Sequence, residues 1–268
     1  MKITHATVLY FTGTNTTKRY AETFAEALPY ETEIQPIRLD NPITKHFASN
    51  ELLVLAGPVF GGYLPPFVWE QLETVSGNNS PAVLLAVYGA RDYDNTLLEM
   101  ETNLAAKGFV SIGAAALVAR HSIATYIATD RPNEQDLEEI SAFAKTIAAR
   151  LTDMPSIEAA PKFNFKGVLD GKRPHNPAPE VNEKCTECGI CAMECPVGAI
   201  PEEAPNTTDS ETCIACLRCV EMCPFEARCT PEAVLEKAKG FLSKTANPEK
   251  PNEFFQKLVN TEVFLALF

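Results

Sequence analysis

The sequence predicts an α/β chain in two parts, a doubly wound parallel sheet of five strands and a second, smaller domain rich in cysteine. The sheet is predicted from apolar runs that alternate with helical patterns over residues 1–152. The second domain is predicted from nine cysteines, all at or beyond Cys185. Residues 153–180 contain five prolines, which is typical of an extended connector. The cysteine-rich domain is therefore expected at 181–229, and a C-terminal helix and tail at 230–268.

Each predicted strand in the first part is followed by a helical pattern. The strands are expected at 6–11, 34–39, 52–56, 83–87 and 109–118. The helices are expected at 17–28, 66–75, 94–107 and 133–151, with a later one at 231–244. Pro36 predicts that the second strand lies at a sheet edge, because proline cannot donate to a strand ladder. The unbroken apolar run at 52–56 is typical of a parallel strand covered on both faces.

Composition and charge exclude several classes of protein. The chain of 268 residues is 46% hydrophobic and 22% charged, which is enough apolar material for a core. Its net charge of -12 argues against a nucleic-acid partner. The N-terminus lacks the apolar stretch of a signal peptide, and no run approaches the ~20 residues of a membrane-spanning helix. We therefore expect a cytoplasmic protein without a transmembrane segment. The apolar tail 263–268 is expected to dock on the body of the protein or on a partner subunit.

The cysteines form an internal repeat. Residues 185–196 and 213–224 both fit the pattern C-x2-C-x2-C-x3-C-P, in which three thiolates within one loop hold three corners of an iron–sulfur cube and the fourth ligates the other cluster. Zinc would leave the third cysteine and the Cys-Pro of each copy unexplained, and disulfides do not suit a reducing compartment. The predicted ligand sets are Cys185, Cys188, Cys191 and Cys223 for one [4Fe-4S] cluster, and Cys213, Cys216, Cys219 and Cys195 for the other.

Two residues of this segment depart from the repeat. Cys229 is left over and is expected to be an ordinary, partly buried thiol, with a redox role as the alternative. Leu217 occupies the place that Gly189 has in the first copy, so the second loop is expected to be wound slightly less tightly.

This segment resembles the bacterial-type dicluster ferredoxins over about 50 residues. The resemblance implies one-electron transfer at low potential, clusters that oxygen can damage, and a compact pseudo-twofold fold. From Glu180 to Thr230 there are ten acidic residues against three basic ones. A solvated face is the simpler explanation, and a docking surface for a basic redox partner is the alternative.

A turn rich in hydroxyl groups follows the first strand. Its residues are Thr12, Gly13, Thr14, Asn15, Thr16 and Thr17. Backbone N–H groups, a helix N-terminus and hydroxyls together favour a phosphate, although a helix cap is the alternative. Neither the P-loop pattern nor the dinucleotide fingerprint is present, which disfavours ATP and NAD.

The turn resembles the phosphate loop of flavodoxins, with Asn15 where glycine is common, a change that the left-handed conformation of Asn tolerates. Two further segments resemble the flavin loops of that family. They contain Pro58, Val59, Phe60 and Gly61 after the third strand, and Tyr88, Gly89, Arg91, Asp92 and Tyr93 after the fourth. The resemblance implies a flavodoxin-like strand order, 2-1-3-4-5, with FMN at the carboxyl ends of strands 1, 3 and 4. Phe60 and Tyr93 are expected to flank the flavin ring, with Tyr93 as the first choice for stacking. Asp92 and Asp94, if near the ring, would lower the potential of its last reduction.

The whole chain resembles the flavodoxin–ferredoxin fusion proteins of anaerobic bacteria and archaea. The resemblance implies an electron-transfer protein with one FMN and two [4Fe-4S] clusters that serves redox partner proteins. The alternatives are a flavin-dependent reductase of a small acceptor and a flavodoxin half that binds no flavin. In the reductase, the candidate donors are Tyr63, Tyr93, Arg91 and His121. The four histidines are scattered, and each is expected to be structural or exposed rather than catalytic.

Overall fold

The computed structural model describes residues 1–173 and 176–256, so His175 and the predicted docking of the tail at 263–268 lie outside the described residues. The strands are β1 (His5–Tyr10), β2 (Glu31–Pro36), β3 (His46–Phe47), β4 (Glu51–Pro58), β5 (Ser76–Gly77), β6 (Ser80–Tyr88), β7 (Phe109–Val118), β8 (Glu180–Val181), β9 (Arg228–Cys229) and β10 (Glu253–Phe255). The α-helices are α1 (Thr16–Ala27), α2 (Pro66–Gln71), α3 (Thr96–Ala106), α4 (Glu134–Asp153), α5 (Ile190–Met193), α6 (Arg218–Glu221) and α7 (Glu232–Thr245). Within the described ranges, no helix combines the length and the apolar character needed to cross a membrane.

The main sheet has the strand order β10-β7-β6-β4-β1-β2. Its five longer strands are parallel and follow the flavodoxin-like order 2-1-3-4-5, which confirms the predicted fold class. The sheet also has a sixth strand that the sequence did not predict, because β10 pairs antiparallel with β7 at its edge. Three residues are too few to give a strand signal in the sequence, and β10 exists because the open edge of β7 offers unpaired backbone groups.

Both faces of the sheet are buried, which accounts for the continuous apolar run of β4. Leu52 and Val54 pack in the core cluster with α1 and α4, whereas Leu53 and Leu55 pack in the cluster with α2 and α3. Helix α4 is capped by Asn133, whose side chain accepts from the backbone N–H of Asp136. Helices cover both faces of the sheet. The loops at the carboxyl ends of the parallel strands are therefore the part of the sheet where a ligand can bind.

The C-terminal segment is anchored to the sheet through a buried asparagine. The Asn252 side chain accepts from the backbone N–H of Val118 at 2.8 Å. It donates to the carboxylates of Asp136 and Glu139, both at 2.8 Å. Next to it, the ring of Phe254 packs 5.0 Å from that of Phe143 in α4, measured between centroids. These contacts hold β10 against the edge of the sheet.

Replacing Asn252 with alanine is expected to destabilise the sheet by about 2–3 kcal/mol, because buried donors and acceptors lose their partners. Denaturant unfolding followed by the fluorescence of Trp69, the single tryptophan, measures this loss. The matched control is Asn247→Ala, since Asn247 is exposed and caps only the backbone N–H of Glu249. Equal losses for the two variants would contradict the anchoring role of Asn252.

The cysteine-rich part is a small unit closed by the antiparallel pair of β8 and β9. It packs on the first part of the chain beside the segment that follows β2. The backbone N–H of Leu39 donates to the carbonyl of Pro196 at 2.9 Å, and the Arg38 guanidinium donates to the carbonyls of Met193 and Glu194. The two parts are therefore in direct contact.

Candidate functional site

The turn after β1 contains buried hydroxyls that lack a hydrogen-bond partner among the described residues. Asn15 adopts the left-handed conformation, with φ at +62°, and its side chain does not cap α1. The hydroxyls of Thr12 and Thr17 are buried without a hydrogen-bond partner among the described residues. Buried hydroxyls without partners are costly, so the turn suits a ligand whose oxygens accept from them. A phosphate at the N-terminus of α1 has that chemistry.

A small cavity of about 40 Å³ lies over this turn. Gly13, Thr14, Thr16 and Thr17 line it from one side. Arg120 and Ser122, which follow β7, line it from another and were missed by the sequence analysis. Arg120 follows the last parallel strand. That position places it at the carboxyl edge of the sheet, and it is the feature of the sequence that could have identified Arg120 as a site residue. Its guanidinium brings a positive charge beside the turn.

A larger cavity of about 960 Å³ continues from the small one, and Val59, Tyr88 and Gly89 border both. The other predicted flavin-loop residues divide between the two cavities. The larger cavity is lined by Gly61, Arg91, Asp92 and Tyr93, and the small one by Pro58 and Phe60. Phe60 and Tyr93, predicted to flank one ring together, therefore border different cavities.

The aromatic side chains at the larger cavity are fixed by their neighbours. The Tyr93 ring packs edge-on against Tyr88, with centroids 5.8 Å apart, and against Phe255 at 6.1 Å. Burial and the carboxylate of Glu253 raise the pKa of Tyr93 to about 12. Burial raises the pKa of Tyr88 as well, and its hydroxyl has no partner among the described residues. Both phenols therefore stay protonated and can act as hydrogen-bond donors.

The charged residues of the loop after β6 are partly neutralised within the loop. Arg91 forms an ion pair with Asp94. The Asp92 carboxylate accepts from the backbone N–H of Asp94 at 3.1 Å. Arg91 thus offsets one of the two acidic groups that follow it.

All four side chains considered as donors for a reductase border the larger cavity: Tyr63, Tyr93, Arg91 and His121. The structure thus gathers residues from three loops that the sequence leaves far apart. Of the other histidines, His5 is in β1 and His46 in β3, away from this cavity.

The cysteines lie around two further cavities. One is lined by Cys185, Cys188, Cys191 and Cys223. The other is lined by Cys195, Cys213, Cys216 and Cys219. None of the nine cysteines forms a disulfide. Cys229 borders neither cavity and is partly buried, with its thiol 3.7 Å from the carbonyl of Glu180.

Backbone N–H groups point at several of these sulfur atoms. Ala199 donates to Cys195 at 3.3 Å, and Ala227 donates to Cys223 at 3.2 Å. Within residues 1–173 and 176–256, no three His, Cys, Asp or Glu side chains converge closely enough for a single metal ion. Four thiols spread around a cavity, with N–H groups aimed at sulfur, instead suit a cube of iron and sulfide.

The two cysteine loops have the same winding. Gly189 has φ at +77° and Leu217 has φ at +61°, and each immediately precedes a short helix. The expected loosening of the second loop is therefore wrong. Leucine adopts the left-handed conformation here at a cost of about 1–2 kcal/mol, which the surrounding packing offsets.

The second cysteine set shares a wall with the turn after β1. Cys216 is 7% exposed and borders both the small cavity and the second cysteine cavity. A methyl group on Gly13 would overlap the carbonyl oxygen of Cys216. Arg218 donates to the side-chain oxygen of Asn15 and pairs with Glu194. The turn and the second cysteine loop thus form one packed unit.

An ion pair crosses the same boundary, since Arg120 meets Glu221 of α6 at 2.7 Å. The cavity of the first cysteine set is lined by residues of the cysteine-rich part alone, and Cys188 is exposed there. The second set borders the turn through Cys216, so it lies between the first set and the turn.

Several known iron–sulfur proteins and domains are similar to the cysteine-rich part of this chain. Residues 179–224 match the family described as the 4Fe-4S dicluster domain. The chain is 33% identical over 58 residues to the "ferredoxin-like protein in nif region" of Rhizobium leguminosarum bv. trifolii, covering 19% of this chain and 91% of that protein. It is 42% identical over 48 residues to "pyruvate synthase subunit PorD" of Methanocaldococcus jannaschii. That match covers 17% of this chain and 56% of the subunit, so the chain spans just over half of the subunit's length.

Among solved structures, similar chains include a flavodoxin from the domain Archaea, at 14% identity and a TM-score of 0.40. Another is a Streptococcus pneumonia TIGR4 flavodoxin, at 15% identity and a TM-score of 0.40. Each match covers 55% of this chain and 99% of the flavodoxin.

Proposed function

Because the chain belongs, through its cysteine-rich domain, to the 4Fe-4S dicluster ferredoxin family, we propose that it is an electron-transfer protein with two [4Fe-4S] clusters and one FMN. The observation that carries the proposal is the double role of Cys216, which borders both the second cysteine cavity and the cavity over the turn. In this proposal residues 1–152 form the FMN domain and 181–229 the cluster domain. Residues 153–180 connect them, and 230–268 hold the C-terminal helix and tail.

The thiols of each cavity would hold one cluster. Cys185, Cys188, Cys191 and Cys223 would hold the outer cluster, and Cys195, Cys213, Cys216 and Cys219 the inner one. The backbone N–H groups directed at sulfur, together with burial, would set the potential of each cluster. Cys216 and Cys219 are the more buried ligands, so the inner site is better shielded from solvent than the outer one.

The residues of the turn fit the phosphate of FMN. The buried hydroxyl of Thr17, which lines the small cavity, would gain an acceptor, and Arg120, which also pairs with Glu221, would bring a positive charge near the phosphate. Val59, Tyr88 and Gly89 would flank the passage toward the larger cavity, where the flavin ring would lie. When bound, FMN supplies a centre that can hold one or two electrons, whereas each cluster handles one.

The outer cysteine set is the proposed place of contact with a redox partner protein. Cys188 is exposed there, and Glu183, Glu187 and Glu226 are exposed around it. An acidic surface of this kind attracts a basic partner and makes the association rate fall as salt is added.

Cofactor analysis of protein purified without oxygen tests the proposal. We expect about eight iron, eight sulfide and one FMN per chain, as two four-iron clusters and one flavin require. Zinc in place of iron, or iron for one cluster only, would contradict the cluster assignment. Absence of FMN from protein that retains its iron would contradict the flavin assignment alone.

A second function, reduction of a small acceptor at the flavin, is favoured by the size of the larger cavity. Phe165 of the connector, Phe241 of α7 and Phe255 of β10 add aromatic side chains to its lining. A cavity of about 960 Å³ has room for a small molecule beside the flavin. Saturable turnover of a small acceptor would distinguish this function from that of a simple carrier.

A further inference from the structure

Aromatic rings from the connector and from β10 line part of the larger cavity. Phe163 stacks on Phe165 with centroids 5.4 Å apart, and Phe165 meets Phe255 edge-on at 5.3 Å. Phe255 in turn meets Tyr93, which packs against Tyr88 at the end of β6. A continuous row of rings therefore joins the connector to the sheet. Such a wall complements a flat, conjugated ligand.

The volume of this cavity exceeds what one ring system needs. At about 960 Å³ it lies at the top of the range of about 300–1,000 Å³ that holds a drug-sized ligand. A flavin ring would occupy part of it, since the phosphate of FMN is assigned to the small cavity. The remaining space, next to the aromatic wall, can hold a second planar molecule.

His121 lines this space and carries a ring N–H. Its Nδ1 accepts from the backbone N–H groups of Ile123 at 3.2 Å and Ala124 at 3.1 Å, so the ring proton is on Nε2. The ring lies against Gly89, where a β-carbon would be 2.5 Å from Cδ2. Burial and the guanidinium of Arg91 lower the pKa of His121 to about 4, so the imidazole is neutral at pH 7. No acceptor for Nε2 is present in the part of the chain that the structure describes.

We propose that the larger cavity binds a planar, conjugated carbonyl compound of the quinone class, and that His121 donates a hydrogen bond from Nε2 to one of its carbonyl oxygens. This inference rests on the proposed function, because the reduction requires FMN at the neighbouring site. The quinone takes two electrons from the reduced protein and two protons from water, and its two C=O groups become C–O–H groups. A neutral donor suits a carbonyl oxygen, because it stabilises the charge that develops there without itself being consumed.

Cations at the mouth of the cavity guide the choice of probe. Lys166 of the connector and Lys237 of α7 are exposed at its lining, in a chain whose net charge is -12. A quinone that carries a sulfonate, such as anthraquinone-2-sulfonate, combines the planar carbonyl system with a group these lysines attract.

The test is a single turnover of the complete protein. Protein with its FMN and clusters is photoreduced without oxygen and mixed with anthraquinone-2-sulfonate, and reoxidation of the flavin is followed by its absorbance. We expect the rate to saturate with quinone concentration, which yields an apparent dissociation constant. A rate that stays linear in quinone while FMN and clusters are fully present would overturn this inference and leave the proposed function intact. Protein that binds no FMN would fail the proposed function first.

Two matched variants isolate the role of Nε2. His121→Asn keeps an oxygen that can accept from Ile123 and Ala124 but removes the Nε2 donor, whereas His121→Gln retains a donor near that place. We expect His121→Asn to raise the apparent dissociation constant for the quinone about tenfold with unchanged FMN affinity, and His121→Gln to retain most of the affinity. A wild-type constant for His121→Asn would overturn the inference. So would a loss of FMN affinity in that variant, because His121 would then serve the flavin.

Discussion

Replacement of Cys223 with serine is expected to remove one cluster and about four of the eight iron atoms, and the cluster lost is the one held by the first cysteine triplet. Cys223 belongs to the second copy of the repeat, yet it borders the same cavity as Cys185, Cys188 and Cys191. Serine is a poor substitute for a thiolate, and three ligands leave one iron corner open. Iron and sulfide analysis measures the loss.

The paramagnetic resonance signal of the remaining cluster identifies which cluster was lost. The electron paramagnetic resonance spectrum of reduced Cys223→Ser should match that of Cys188→Ser, whose outer cluster is also disrupted. A match with Cys213→Ser instead would show that the ligands are not crossed. Cys229→Ser is the matched control and should retain both clusters, because Cys229 borders neither cysteine cavity.

Replacement of Gly13 with alanine is expected to weaken FMN binding about tenfold or more. The added methyl group would overlap the carbonyl oxygen of Cys216, which is backbone and cannot rotate away as a side chain would. Either the turn or the second cysteine loop must then move. Overpacking of this kind costs about 1–3 kcal/mol, and 1.4 kcal/mol corresponds to tenfold in affinity. Titration of flavin-free protein with FMN, followed by flavin fluorescence, measures the dissociation constant.

The control for this variant is Gly240→Ala, at a position in α7 where a methyl group meets nothing within 4 Å. Its FMN affinity should equal that of the wild type.

The shared wall also predicts that loss of the inner cluster, by Cys213→Ser, weakens FMN binding more than loss of the outer one, by Cys188→Ser. Linkage requires that FMN stabilise the inner cluster by the same factor. Wild-type affinity in Gly13→Ala would show that the two sites are not coupled through this wall.

The contrast between two aromatic predictions shows where local reasoning ends. Tyr93 lies at the larger cavity, because its place after a parallel strand brings it to the carboxyl edge of the sheet. Phe60 has a similar place after β4, yet it borders the small cavity and packs edge-on against Phe11, with centroids 6.5 Å apart. In both cases the position of the residue after a parallel strand predicted that it lies at the carboxyl edge of the sheet. The direction of each ring depended on its neighbours, which the loop sequence does not specify.

The amino-acid sequence by itself determined the parallel sheet and the twofold cysteine pattern. Both are encoded locally, since the period of apolar residues sets each strand and the spacing of cysteines sets each loop. Only the tertiary structure decided that Arg218 reaches Asn15, 203 residues away along the chain, and that Cys216 lies against Gly13. It also decided that β10 returns to the edge of β7 and that His121 lines the same cavity as aromatic rings from the connector, α7 and β10. These contacts join residues that are distant in sequence. They depend on how whole surfaces pack together, and a local sequence pattern does not specify that packing.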